Sequence, residues 1–260
     1  MSNYADFAQV YDLLTSEIDY TARAKYFDEV IRRYRKGDGN ILCDLGCGTG
    51  TMCEAFSALG YDVIGVDNSE DMLASAMDKR AESGGDITYL CQELDELDLY
   101  GTIDVAVSAL DTLNHLTDYD RFCEAISRAA LFLHPDGVFV FDLNTCYKHA
   151  HILANETFVY DLDEVYCVWQ NTLSEDFLVD MTLDIFVANE DGSYERLEDA
   201  FSERAYPMAL VERALEEAGL KLVAVYDEDS FDEPKETSQR LIYVAMHRDP
   251  NGRQKMPQNF

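Results

Sequence analysis

The chain has 260 residues and carries 51 acidic against 20 basic side chains, a formal net charge of −31 at pH 7. A chain of this length can bury a substantial apolar interior. Its negative charge repels phosphate backbones and anionic lipid, so nucleic-acid and membrane partners are not expected. No apolar stretch approaches the roughly 20 residues that span a bilayer, and the N-terminus lacks the pattern of a signal peptide. We therefore expect a cytoplasmic protein.

The first 36 residues carry apolar side chains at helical spacing, among them Val30, Ile31 and Tyr34. We expect segment 1–36 to be a helical region that precedes the first strand. Tyr11 and Tyr20 lie within it, and aromatic side chains at helical spacing commonly belong to an ordinary core.

A short apolar run at 41–43 is followed at once by the sequence DLGCGTG at positions 44–50 and then by a helical pattern. Glycines between a strand and a helix let backbone N–H groups approach a ligand more closely than side chains would permit. A dinucleotide site has the spacing Gly-x-Gly-x-x-Gly, and Thr51 stands where its third glycine would be. The loop therefore predicts a nucleotide-like cofactor other than a dinucleotide.

Strand and helix patterns alternate from this loop onward, which predicts a parallel sheet covered on both faces. Ligands of such sheets bind at the carboxyl ends of the strands. Asp67 ends the second strand, where a carboxylate can accept both hydroxyls of a ribose. The predicted elements are a helix at 51–59, a strand at 61–66, a helix at 70–82, strands at 87–91 and 103–107, a helix at 118–133 and a strand at 137–141.

Five segments in this order resemble the motifs of class I S-adenosylmethionine-dependent methyltransferases, in particular small bacterial members with an antiparallel insertion after strand five. The segments are 44–50, 66–73, 87–94, 103–108 and 133–142. Glu93 stands where the family usually has an aspartate at the adenine-recognising end. The resemblance implies a Rossmann-like doubly wound sheet, mostly parallel with an antiparallel last strand, and S-adenosyl-L-methionine as cofactor, with S-adenosyl-L-homocysteine as product. It also implies that the N-terminal helices form a lid, and that the cofactor contacts Tyr11, Tyr20, Asp44, Gly46, Cys47, Gly48, Asp67, Asn68, Met72, Gln92, Glu93, Leu94 and Ser108.

After residue 144 the apolar pattern approaches period two, with EDGS at 190–193 as a hairpin turn. We expect an antiparallel insertion of three or four strands within 149–205, which serves either as an acceptor lid or as a dimerisation surface. A helix at 207–218 and strands at 220–226 and 240–247 return the chain to a core that comprises 37–148 and 206–248. The tail, 249–260, has too little apolar content to order itself.

Methyl transfer from a sulfonium is an in-line displacement, so the enzyme mainly aligns the acceptor and excludes water. A general base helps where the acceptor arrives protonated. The candidates follow the fourth strand: His115 can take a proton near neutral pH, and Asp111 or Asn114 can orient an amine. An equally strong interpretation is that Asn114 and His115 simply cap the loop.

The resulting hypothesis is methyl transfer to a nitrogen or oxygen nucleophile of a small-molecule acceptor by a monomer or homodimer. A non-catalytic S-adenosylmethionine-binding regulator is an alternative, and an NAD(P)-dependent oxidoreductase is disfavoured by Thr51. The seven cysteines include no Cys-x-x-Cys pair and indicate reduced thiols in place of disulfides. His149 and His151 are two residues apart and do not share a helix face, so no metal site is expected.

Overall fold

The computed structural model describes residues 4–248. The tail predicted to be flexible, 249–260, lies outside the described residues, as do residues 1–3 of the predicted N-terminal region. The helices are α1 (Tyr4–Leu14), α2 (Tyr20–Tyr34), α3 (Thr51–Ala58), α4 (Glu70–Ser83), α5 (Tyr119–Phe132), α6 (Cys146–Lys148) and α7 (Met208–Glu217). The strands are β1 (Ile41–Leu45), β2 (Asp62–Asp67), β3 (Ile87–Cys91), β4 (Ile103–Ser108), β5 (Leu133–Asn144), β6 (Thr157–Asp161), β7 (Val165–Leu173), β8 (Leu178–Ala188), β9 (Tyr194–Arg204), β10 (Leu220–Asp227) and β11 (Arg240–His247).

Seven strands form the central sheet in the order β10-β11-β5-β4-β1-β2-β3. Strands β1 to β5 are parallel, whereas β11 pairs antiparallel with both β5 and β10. The predicted fold class, a mostly parallel Rossmann-like sheet with an antiparallel last strand, is therefore confirmed. The strand order reverses between β1 and β4, which opens a crevice at the carboxyl ends of these two strands.

Two apolar clusters cover the two faces of this sheet. On one face α5 and α7 pack against the sheet, and Phe122 and Phe141 are fully buried there. On the other face α2 and α3 pack against it with Phe27 and Phe56 fully buried. Full burial of each such side chain contributes about 1.5–3 kcal/mol relative to exposure. Helix α2 is thus part of the core, whereas no described side chain of α1 or α6 belongs to either cluster.

The fifth strand is longer than its pattern predicts. A strand was expected at 137–141 and a turn before it, but β5 already begins at Leu133, which pairs with Ile103 of β4. The register then shifts, and the next pair joins Val105 to Val138. Residues between the two pairs bulge from the ladder, which hides the start of the strand in an alternation pattern.

Strands β6 to β9 form a second, four-stranded antiparallel sheet. Apolar side chains alternate along β7 and β8, and their buried members pack with Val10 of α1 and Leu153. The predicted turn between β8 and β9 is present, with the N–H of Asn189 donating to the carbonyl of Ser193. Within residues 4–248, no helix is long and apolar enough to cross a membrane.

Candidate active site

The glycine loop joins β1 to α3 with Gly46 and Gly48 in the left-handed region, at φ of 76° and 53°. A Cβ on Gly46 would collide with the side chain of Thr112, whereas a Cβ on Gly48 would meet open space. The N–H groups of Gly46 and Cys47 donate to the carbonyl of Val66 at 2.7 and 2.9 Å. The loop is therefore tied to β2 and leaves room for a ligand above Gly48.

Two predicted carboxylates flank this loop. Asp67 accepts hydrogen bonds from the N–H groups of Gly48 at 2.8 Å and Ser69 at 3.0 Å. Burial raises the pKa of Asp67, and these two hydrogen bonds oppose the rise. Asp44 is 2% exposed and accepts a hydrogen bond from Sγ of Cys53 at 3.3 Å. Burial raises the pKa of Asp44 to about 7.

The segment after β3 supplies the predicted adenine end. Asn68 donates to the carboxylate of Glu93 at 3.2 Å, and Arg121 pairs with Glu93 at 3.0 Å. The side chain of Gln92 is engaged with the backbone of Asp98, both as donor and as acceptor. Met72 of α4 is buried, and Leu94 is half-buried at the start of a 3-10 turn. These residues lie beyond β2 and β3, on the same sheet edge as Asp67.

Helix α1 is fastened to the glycine loop by one carboxylate. Asp12 accepts a hydrogen bond from Oγ1 of Thr49 at 2.7 Å and pairs with Lys79 of α4 at 2.6 Å. Burial raises the pKa of the neighbouring Tyr11, and Tyr20 and Asp111 raise it further. Tyr11 and Tyr20 therefore lie near each other, and Tyr11 lies near Asp111 as well.

Beyond β4 the backbone forms a turn that is held by the buried carboxylate of Asp142. Leu110 and Asp111 adopt left-handed φ values of 58° and 57°, and their N–H groups donate to the carboxylate of Asp142 at 2.8 and 2.6 Å. Arg240 donates to both Asp111 at 2.8 Å and Asp142 at 2.7 Å. Burial acts to raise the pKa of Asp111, but Arg240 and Lys148 together hold it well below its usual range.

The remaining predicted side chains after β4 differ in how fully they are engaged. Ser108 is fully buried and donates to the carbonyl of Leu45 at 3.0 Å, which ties β4 to β1. Asn114 is also fully buried; its amide donates to the carbonyls of Asn144 and Arg204 and accepts from the N–H of Asn144. His115, by contrast, is 47% exposed at the end of a 3-10 turn.

A carboxylate that the sequence did not single out faces His115. Oε1 of Glu203, on β9, lies 3.8 Å from Nε2 of His115, and Glu203 is buried. Its other oxygen accepts a hydrogen bond from Asn144 at 3.0 Å and lies 3.7 Å from Nε2 of His149. Nδ1 of His149 is 2.8 Å from the carbonyl of Phe177, so Nδ1 carries the proton there. The region of the crevice beyond β4, predicted to contact the acceptor, thus contains an imidazole next to a fixed, buried carboxylate.

Two arginines were also missing from the sequence prediction. Arg23 of α2 is 9% exposed and pairs with Asp142 at 3.3 Å and Asp229 at 3.0 Å. Arg240 lies at the start of β11, opposite Asn144. Neither arginine belongs to a motif. The one sequence signal that could have found them is a charged residue at a position that the helical or strand pattern predicts to be buried. In the described part of the chain, no three His, Cys, Asp or Glu residues cluster as metal ligands.

Comparisons with known proteins identify the family. Residues 42–137 match the family model described as a methyltransferase domain. A methyltransferase of Geobacillus sp. (strain WCH70) is 30% identical over 243 residues, which cover 93% of this chain and 98% of the relative. The chain belongs to the class I S-adenosylmethionine-dependent methyltransferase family.

Two further methyltransferases extend over nearly the same length. YqeM of Bacillus subtilis (strain 168), also named as a methyltransferase, is 30% identical over 93% of this chain and 96% of its own. The crystal structure of an S-adenosylmethionine-dependent methyltransferase from Clostridium acetobutylicum ATCC 824 superposes with a TM-score of 0.86 at 29% identity, covering 94% of this chain and 98% of the other. The protein is therefore a methyltransferase enzyme, and its cofactor is S-adenosyl-L-methionine. The open space above Gly48 and the carboxylate of Asp67 fit that cofactor.

Proposed function

We propose that this methyltransferase acts on a nitrogen or oxygen nucleophile of a small-molecule acceptor. The observation that carries the proposal is that Asp67, at the end of β2, and His115, after β4, lie at the same edge of the central sheet, with Glu203 of β9 facing His115. The cofactor supplies a methyl group activated by a sulfonium. A proton acceptor beside the cofactor site suits an acceptor whose nucleophilic atom carries a hydrogen.

The cofactor-side roles follow from the hydrogen bonds. We assign ribose recognition to Asp67, whose carboxylate is held at the loop by Gly48 and Ser69. We assign the adenine end to Asn68, Met72 and Leu94 together with the segment that begins at Gln92, as the family resemblance implies. Tyr11 belongs to a lid helix, α1, that Asp12 fastens to the loop, and Tyr20 adjoins it at the start of α2.

The acceptor-side roles differ among the three candidates. We assign proton transfer to His115, because its imidazole is partly exposed and close to Glu203. Asp111 remains ionised beside Arg240 and contributes negative charge to the crevice. Both amide hydrogens of Asn114 are taken by carbonyls, which supports a positioning role and not contact with the acceptor. The negative net charge supports a small acceptor over a polyanion, while the cytoplasmic location and the monomer or homodimer remain predictions.

Calorimetric titration with S-adenosylmethionine, S-adenosylhomocysteine and NADH tests the cofactor side. We expect binding of the first two with about 8 kcal/mol, and none of NADH. Asp67→Ala should weaken binding about 100-fold, because the charged carboxylate no longer accepts hydrogen bonds from the two ribose hydroxyls. Asp62→Ala is the matched control, since Asp62 is exposed at the opposite end of the same strand. Equal affinities for parent and Asp67→Ala would contradict the assignment.

A further inference from the structure

The inner face of β9 brings a pair of carboxylates and an aromatic ring to the acceptor side. Asp199, Phe201 and Glu203 are alternate residues, so their side chains share one face of the strand. Asp199 is 6% and Glu203 is 3% exposed. Their neighbour Glu198 points to the other face, where it is exposed and pairs with Arg196. Buried acids on this face require a reason, because isolated buried charges are costly.

These two carboxylates have no arginine or lysine partner among the described residues. Arg240 pairs instead with Asp111, Asp142 and Glu228. Oδ2 of Asp199 is buried without any hydrogen-bond partner, while its other oxygen accepts from the N–H of Ala200. Burial raises the pKa of Asp199, and His115 opposes that rise. The inner face of β9 therefore holds an unpaired buried acceptor atom close to the proposed proton acceptor.

Aromatic rings line the same face. The ring of Phe201 lies 5.2 Å from that of His115 and 6.2 Å from that of Trp169. Tyr160 extends the group on the far side of Trp169, at 6.3 Å. Aromatic faces attract cations, and the attraction grows when the cation is shielded from water. Carboxylates next to aromatic rings form a site that suits a cation with an apolar body.

We propose that the acceptor is an alkyl amine, recognised as its ammonium ion by Asp199 and Glu203 beside the ring of Phe201. The inference rests on the proposed methyl transfer to a small molecule. An alcohol or another neutral acceptor would leave the buried oxygen of Asp199 without a strong donor, and such unpaired groups are what allow a site to reject a near-isostere. Asp199, Phe201 and Glu203 are thus specificity-determining residues.

The proton balance gives His115 a defined task. The bound ammonium loses one proton to Nε2 of His115, which leaves a neutral amine with a free electron pair. The nitrogen–carbon bond then forms as the carbon–sulfur bond breaks, with the bonding pair left on sulfur and the product again an ammonium ion. His115 passes its proton to water, since nearly half of its side chain is exposed. His115 is close enough to Asp67, Asp111 and Asp199 to act to lower their pKa values, and Glu203 lies 3.8 Å from its Nε2.

The test compares cyclohexylamine with cyclohexanol, which have similar shape but differ in charge. Both are titrated into the full-length protein saturated with S-adenosylhomocysteine, so that no turnover occurs. Trp169 is the single tryptophan of the chain, so its fluorescence reports on this site, and calorimetry provides a second readout. We expect the amine to bind at least about tenfold more tightly, as charge-assisted hydrogen bonds require.

Asp199→Asn and Glu203→Gln should each weaken amine binding about tenfold, because each removes one charge at nearly constant volume. Cyclohexanol binding should not change. Glu198→Gln, on the outer face of the same strand, is the matched control and should alter neither affinity. Unchanged affinity for S-adenosylhomocysteine shows that a variant is folded. If Glu203→Gln does not fold, the amine affinity of Asp199→Asn by itself decides the test.

Equal affinities for amine and alcohol would overturn the proposal, as would amine affinity that Asp199→Asn leaves unchanged. Absence of amine binding up to roughly 100 mM, beyond the weak affinity of a small fragment, would also overturn it. If the protein fails to bind S-adenosylhomocysteine, the proposed function itself fails. If it binds that product but shows no preference for the amine, only the acceptor class is wrong.

Discussion

The cofactor side and the acceptor side of the crevice are built in different ways. On the cofactor side, Gly48 and Ser69 donate backbone N–H groups to Asp67, and all three belong to two short motifs. On the acceptor side, two of the carboxylates that pair with Arg240 lie 98 and 129 residues away in sequence, and Glu203 of β9 accepts a hydrogen bond from Asn144 of β5. Backbone geometry thus forms the first site, whereas tertiary packing and buried charge form the second.

This difference determines where substitutions are costly. Replacing one partner of a buried ion pair leaves the other charge unpaired in the interior. The unfolding free energy lost in this way exceeds the net contribution of the intact pair to stability. A loop held by backbone hydrogen bonds tolerates most changes that preserve its left-handed glycines. Removing a partner of a buried charge around Asp142 should therefore lower the free energy of unfolding, whereas a change in the cofactor loop that preserves its glycines should not lower it.

Arg240→Met should have the largest effect on stability. It leaves Asp111 and Asp142 buried without their shared arginine, which we expect to cost about 3–5 kcal/mol in the free energy of unfolding. Urea unfolding measures the change. Arg213→Met is the control, because Arg213 makes an exposed i,i+4 pair with Glu217 whose contribution is small. Equal losses of unfolding free energy in the two variants would show that the buried pairs of Arg240 contribute no more to stability than an exposed ion pair.

Asp44→Asn tests the one buried acid of the glycine loop. The folded pKa of about 7 exceeds the unfolded value of 3.8, so the folded protein binds this proton more tightly and its stability falls as pH rises between these values. The stability of the variant does not fall in this pH range, because asparagine does not ionise. The variant should therefore be more stable than the parent at pH 8, by up to about 4 kcal/mol. The advantage should vanish near pH 4.

Unfolding of the cofactor-free protein at several pH values provides the measurement, with Asp62→Asn as an exposed control. A difference that stays constant between pH 4 and pH 8 would show that Asp44 ionises in the folded protein as it does in the unfolded chain. The cofactor side would then carry no buried titrating group of this kind.

His115→Ala should have the smallest effect on stability and act on turnover alone. Formation of S-adenosylhomocysteine should slow about 100-fold, a common contribution of a general base, while calorimetry should show unchanged cofactor affinity. His247→Ala is the control, since His247 lies at the end of β11 opposite to Arg240, next to the carbonyl of Leu133. Unchanged turnover would remove His115 from the mechanism.

The sequence signals on the cofactor side are local. The glycine spacing, the carboxylate at the end of β2 and the cap at Ser69 each depend on a few consecutive residues, and Ser69 does accept a hydrogen bond from the N–H of Met72. The alternation of elements also predicted both sheets. The start of β5 was missed, because a register shift interrupts its ladder after Leu133.

On the acceptor side the sequence indicated the loop after β4 but not the side chains that pair with it. His115 was a candidate by position after β4, yet nothing in the residues around Glu203 indicates that β9 would place this carboxylate 3.8 Å from it. Arg23 and Arg240 likewise converge on Asp142 from α2 and β11. By itself the sequence determined the two sheets and the glycine loop, because these follow from periodicity and local backbone preferences, and the resemblance of its motifs indicated the family. Only the tertiary structure decided which buried charges meet, because their contacts join segments about 100 residues apart, and no local pattern encodes such distances.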